Sequence, residues 1–146
     1  LPSYGPEMRG GTANCSVVVS RTEIGNPMVV APNVLIAMNR PSLEKFEDEL
    51  DPGAVLIYDN SLIDVEPTRD DLRVFAIPAT KIADGLGSGK VANVVMVGAL
   101  ARILGFPGPD ALENIVGKLG RTEEIRSANL AALKGGADAV ELAPTS

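Results

Sequence analysis

The residues best suited to chemistry cluster in a short opening stretch, SYGPEMRGGT (3–12), which brings together Tyr4, Gly5, Glu7, Arg9, Gly10 and Gly11. Paired glycines adopt backbone geometries that other residues reject, and they let a ligand or another chain come close. Arg9 offers a planar fork for a carboxylate or phosphate, and Glu7 is placed to steady it. An ordinary surface turn with a fortuitous charge pair would use the same residues. On residue types alone the two readings are even.

Two asparagines are further candidates. Asn39 ends the apolar run VLIAMN (34–39), and the carboxyl ends of strands are where open α/β sheets bind ligands. An asparagine there either hydrogen-bonds a ligand or caps the turn before Pro41. Asn93 interrupts an apolar helical run, so it is either a buried hydrogen-bonding residue or a contact to a neighbouring subunit, with the structural role favoured. Asp59, Asn60 and Ser61 close a second apolar run, where a binding edge and a turn call for the same residue types. GLGSGK (85–90) imitates a phosphate loop but lacks the G-x-x-x-x-G-K-[ST] spacing and follows a helix-like segment. A tight helix–helix turn is the better reading.

Whole classes of reaction are excluded by what is scarce. The chain has one cysteine, Cys15, and no histidine. It cannot alone supply the four thiolates of an iron–sulfur cluster or the Cys and His ligands of a typical zinc site. Ser-His-Asp and Cys-His catalysis are excluded too. No catalytic or metal-ligating residue is therefore assigned. Cys15 lies in the apolar run CSVVV (15–19) and reads as a small buried hydrophobe. Any redox or covalent step must draw its reactive atoms from a cofactor or a partner chain.

These residues need a scaffold. The 146 residues, 45% of them hydrophobic and 22% charged, suit a single domain over 1–146 with a genuine core. A net charge of −6 without a basic cluster argues against nucleic acid. The longest apolar runs, such as VVMVGALA (94–101), are too short to span a bilayer. The absence of pairable cysteines suits a reducing cytoplasm.

Strand-like and helix-like pieces alternate. Residues 15–20 and 27–30 read as an antiparallel pair, because the six intervening residues cannot make a parallel crossover. Strands are expected at 34–39, 54–59 and 73–77, with Pro78 ending the last. A helix carrying Leu43, Phe46 and Leu50 is expected after a Ser42 N-cap. Further helices are expected over 79–87 and from Ser88 to Leu104, where Gly98 suggests close approach to another element. Asp110 with Glu113 reads as a capping box for a helix bearing Leu112, Ile115, Val116 and Leu119. Thr122 caps a last helix with Ile125, Ala128, Ala132 and Leu133 on its face, ended by Gly135-Gly136, and the tail is expected to be extended. The whole implies a three-layer α/β/α domain with a mixed, mostly parallel sheet.

The blocks SYGPEMRGGTANCSVVVS, VLIAMNRPSLEKF, IPATKIA and KVANVVMVGALARILG, with Asn129 and Ala132 in N-x-x-A spacing, occur in order along the chain. In combination they resemble the γ subunit of the 2-oxoacid:ferredoxin oxidoreductases, similar to the third domain of single-chain pyruvate:ferredoxin oxidoreductase. The resemblance implies a Rossmann-like fold. That family begins with a strand and a G-x-G-G-Q-G loop well before its S-Y-G-P motif, so Leu1 is expected to lie inside the fold, with the first β–α unit lacking. It also implies oxidative decarboxylation of a 2-oxoacid with coenzyme A, giving an acyl-CoA, CO2 and reduced ferredoxin. Thiamine diphosphate, magnesium and iron–sulfur clusters would sit on α and β chains and a ferredoxin-like subunit, with coenzyme A as co-substrate and no cofactor bound by this chain alone. Tyr4, Gly5, Glu7, Arg9, Gly10, Gly11, Asn39 and Asn93 then become the expected cofactor or subunit contacts. The rival expectations are a stand-alone Rossmann-like nucleotide-binding module and a purely structural scaffold subunit.

Overall fold

The computed structural model describes residues 31–142 together with Pro2, Ser3, Asn14, Cys15, Val17 and Val19. Two short strands, β1 (Pro2–Ser3) and β2 (Asn14–Cys15), pair antiparallel. The central sheet holds β3 (Val34–Ala37), β4 (Val55–Asp59) and β5 (Arg73–Ile77) in the order β3-β4-β5. These three described strands are parallel, with Ile36 opposite Ile57 and Ile57 opposite Phe75. The expected strand over 15–20 is corrected in its bounds. Asn14–Cys15 pairs with Pro2–Ser3, and Val17 and Val19 are exposed outside any strand. Residues 27–30 and the Cys15 side chain lie outside the described residues.

β4 sits in the middle, and all five of its residues are buried. Alternating side chains divide the core into two. Val55, Ile57, Phe75 and Ile77 face one cluster with α2 (Ala79–Gly85), α3 (Ala92–Leu104) and α5 (Glu123–Leu142). Leu56, Tyr58, Ala37 and Leu72 face the other, with Leu43 of α1 (Arg40–Phe46), Leu50 and Ile63. That is the three-layer α/β/α architecture. β3 is only half-buried apart from Ala37, which is buried.

Several helix boundaries move for identifiable reasons. Asn39, not Ser42, caps α1: its Oδ1 accepts the Ser42 backbone N–H at 2.9 Å, while Pro41 occupies the first turn and Ser42 is buried. A 3-10 turn (Glu47–Glu49) extends the helix toward Leu50. α3 is preceded by another 3-10 turn (Gly89–Val91), in which Ser88 Oγ accepts the Lys90 N–H. The expected capping box at Asp110 is absent. α4 (Pro109–Val116) starts after Gly108 with Pro109 in its first turn and no side-chain cap, since proline leaves no N–H to satisfy there. Thr122 does cap α5, with Oγ1 accepting the Ile125 N–H at 3.2 Å.

The largest correction concerns Gly135-Gly136. These glycines do not end the last helix, which runs on to Leu142 through residues expected to be extended. They are packing residues. A Cβ on Gly136 would lie 1.8 Å from the Val95 carbonyl oxygen, and one on Gly98 would lie 2.1 Å from that of Leu133. The backbones of α3 and α5 touch at this glycine crossing, and Arg102 of α3 forms an exposed ion pair with Glu141 of α5. The close approach read from Gly98 is borne out. Ile125, assigned to the inner face of α5, is instead largely exposed, as are Ile115 and Leu119 around α4.

The β4–β5 connection, residues 60–72, contains no helix. It is held by Glu47, whose buried carboxylate accepts the Thr68 N–H at 2.6 Å and the Arg69 N–H at 3.0 Å. Arg69 answers by donating to the Glu47 and Leu50 carbonyls at 3.0 and 2.8 Å, and its guanidinium pairs with Asp71 at 2.6 Å. That hydrogen bond and charge hold the Asp71 carboxyl below its ordinary 3.8.

Gly98→Ala should destabilise the domain by about 3 kcal/mol, because the clash is with backbone and cannot be relieved by a rotamer change. Gly85→Ala, where a Cβ meets nothing within 4 Å, should be neutral or stabilise by about 0.5 kcal/mol. Urea denaturation of the two variants checks the contrast. The Asp71 pairing gives a pH signature, since a depressed folded value adds stability above the unfolded value that is lost as pH falls through the folded one. Wild type should exceed Asp71→Asn in denaturation midpoint at neutral pH. The margin should shrink as pH falls below the ordinary 3.8, and a margin that does not change with pH would contradict the pairing.

Candidate functional site

The carboxyl edge of the parallel sheet is the place where the chain turns polar. β3 exits through Met38 into Asn39 and Arg40, β4 through Asp59 into Asn60 and Ser61, and β5 through Pro78 into Thr80 and Lys81. Helix-opening residues follow two of these strands directly, so backbone N–H groups collect at this edge.

Asp59 organises it. The residue has no solvent exposure. One carboxylate oxygen accepts the Ser61 N–H at 3.0 Å, and the other accepts the Thr80 N–H at 3.1 Å and the Thr80 hydroxyl at 2.5 Å. Ser61 Oγ in turn accepts the Lys81 N–H at 3.1 Å. The end of β4 is thereby fastened to the start of α2, whose own preceding residue, Pro78, supplies no side-chain cap. Asp59 serves as that cap from the neighbouring strand, where the helix dipole also favours a negative charge.

Arg40 belongs to the same edge. Its Nε donates to Glu44 Oε1 at 2.7 Å, and its Nη1 lies 3.6 Å from Asp64 in the β4–β5 connection. The Glu44 hydrogen bond and charge, with a smaller contribution from Asp64, raise the guanidinium above its ordinary value. The outward-facing groups of the edge are then Arg40, Asn60, Ser61 and Lys81, all exposed. Hydrogen bonding and charge recognition are within their reach. Among the described residues there is no group of three or more His, Cys, Asp or Glu side chains arranged to hold a metal ion.

Of the residues singled out from sequence, Asn39 lies at this edge, with its amide oxygen engaged as the α1 cap. Asn93 does not join it. It is exposed in the first turn of α3, on the opposite side of the sheet from α1, and its Oδ1 accepts the adjacent Val94 N–H at 2.9 Å. The expectation of a buried, hydrogen-bonding Asn93 is corrected, because the apolar stripe Val91, Val95 and Gly98 turns it to solvent. Tyr4, Gly5, Glu7, Arg9, Gly10 and Gly11 lie outside the described residues. Thr80 was not singled out from sequence, since its partner Asp59 is 21 positions away. The polar cluster after an apolar strand was the available signal.

A three-layer α/β domain with a polar carboxyl edge to its parallel sheet defines the class. Residues 1–139 match the family described as pyruvate ferredoxin/flavodoxin oxidoreductase, and the chain belongs to that family. It is 38% identical over 140 residues to ketoisovalerate oxidoreductase subunit VorA of Methanothermobacter marburgensis, covering 94% of this chain and 29% of VorA. It is 33% identical over 116 residues to 2-oxoglutarate synthase subunit KorC of Methanocaldococcus jannaschii, covering 78% of this chain and 62% of KorC. The chain thus spans under a third of the one relative and under two thirds of the other. Among solved structures, the γ subunit of a keto/oxoacid ferredoxin oxidoreductase from Geobacter sulfurreducens superposes with a TM-score of 0.72 over 83% of this chain and 68% of that one, at 22% identity. That likeness establishes the fold. The 2-oxoglutarate:ferredoxin oxidoreductase of Magnetococcus marinus, a structure with 2-oxoglutarate, coenzyme A and succinyl-CoA bound, gives 0.65 at 26% identity over 78% of this chain and 20% of that one.

Asp59→Asn should cost about 2–3 kcal/mol, because an amide cannot accept all three hydrogen bonds and, with its oxygen kept on Thr80, sets its own donors against the Ser61 N–H. Asn39→Ala should cost about 1 kcal/mol, the usual value of an N-cap. Thermal unfolding of both variants should rank them in that order, and equal losses would show that Asp59 does not organise the edge.

Proposed function

We propose that this chain acts as the γ-type part of a 2-oxoacid:acceptor oxidoreductase that takes a 2-oxoacid and coenzyme A to an acyl-CoA and CO2 while reducing a ferredoxin. The observation carrying this reading is the family match across residues 1–139, joined to a side-chain inventory of one cysteine and no histidine. Such an inventory does not fit an iron–sulfur cluster within the chain. Thiamine diphosphate, magnesium and the clusters are accordingly assigned to α and β chains and a ferredoxin-like subunit, and the location to the cytoplasm. Among the described residues no helix is long and apolar enough to cross a membrane.

In this reading the chain is one domain that contributes a wall of the assembled site and has no turnover alone. The opening loop provides its contact surface. Gly10 and Gly11 let backbone N–H groups approach an anion, Arg9 supplies charge-assisted hydrogen bonds, and Tyr4, Gly5 and Glu7 shape the loop. Asn39 is assigned to the same surface, and Asn93 to a subunit contact on the other side of the sheet.

Reconstitution tests this directly. The purified chain should show no 2-oxoacid oxidation, and adding α and β chains should restore coenzyme A-dependent reduction of ferredoxin. Turnover by the chain alone would overturn the proposal. Micromolar binding of NAD or FAD by the isolated chain, measured by calorimetry, would favour a stand-alone nucleotide module instead. Arg9→Ala should leave the isolated domain's stability within about 0.5 kcal/mol of wild type and raise the Michaelis constant for coenzyme A, or weaken assembly, in the complex. Full activity and assembly in that variant would remove Arg9 from the contact surface.

A further inference from the structure

We draw no further inference here: the strongest candidate, the apolar surface of α4 and the turn after it, where Ile115 and Leu119 are largely exposed, carries nothing because nothing in the structure shows what covers it.

Discussion

The buried carboxylate of Asp59 ties the exit of β4 to the start of α2. β4 is walled in on both faces, so the polar groups at its exit cannot rely on water. β5 exits through a proline that offers α2 no cap. One side chain resolves both difficulties by accepting the Ser61 and Thr80 N–H groups and the Thr80 hydroxyl. Burying a charge is costly when it is left unpaired, and here three donors and a helix N-terminus stand in for the lost water. The same bonds set the spacing of Asn60, Ser61 and Lys81 along the edge, so the outer groups inherit their positions from the inner one.

Glu47 does for the opposite side of the sheet what Asp59 does for its edge. A β–β connection without a helix has few backbone partners of its own, and residues 60–72 run over the α1 layer. Glu47 accepts from Thr68 and Arg69, and Arg69 donates back to the Glu47 and Leu50 carbonyls. Those carbonyls close the helical segment, where a cation is favoured. The exchange draws the connection against the helix end and brings Leu72 and Ile63 into the core. On the other face the α3–α5 crossing brings backbone to backbone at Gly98 and Gly136, and dispersion between the closely fitted helices adds to the exposed Arg102–Glu141 ion pair.

Much of this was legible in the chain, and the failures share a cause. β4 and β5 were readable because unbroken apolar runs bounded by Asp-Pro-Gly and by proline have few other interpretations. The Gly98 contact was readable because a glycine inside an apolar helix calls for a packing reason. The same logic was not extended to Gly135-Gly136, where a glycine pair after an apolar face looks equally like a helix stop. Only the position of α3 decides between them. Asn39 and Ser42 are both good caps three positions apart, and tolerance of Pro41 in the first turn tipped the choice to the earlier one. The Asp59–Thr80 tie was illegible for a plainer reason: a side chain's partner across 21 positions is a property of strand register, which local sequence does not carry.

That distinction bears on how the domain works. Among the described residues the fully or nearly buried acids are Asp59 and Glu47; Asp59 accepts through both oxygens and Glu47 through Oε1, in each case from backbone N–H groups and a neighbouring hydroxyl. A general acid or base needs an oxygen free to meet the proton it moves. Buried carboxylates committed to loops and helix starts give a stiff edge whose free groups are exposed hydrogen-bonders and cations. The scarcity of cysteine and histidine and the commitment of the Asp59 carboxylate are independent observations, one of composition and one of geometry, and both support the γ-type reading proposed above.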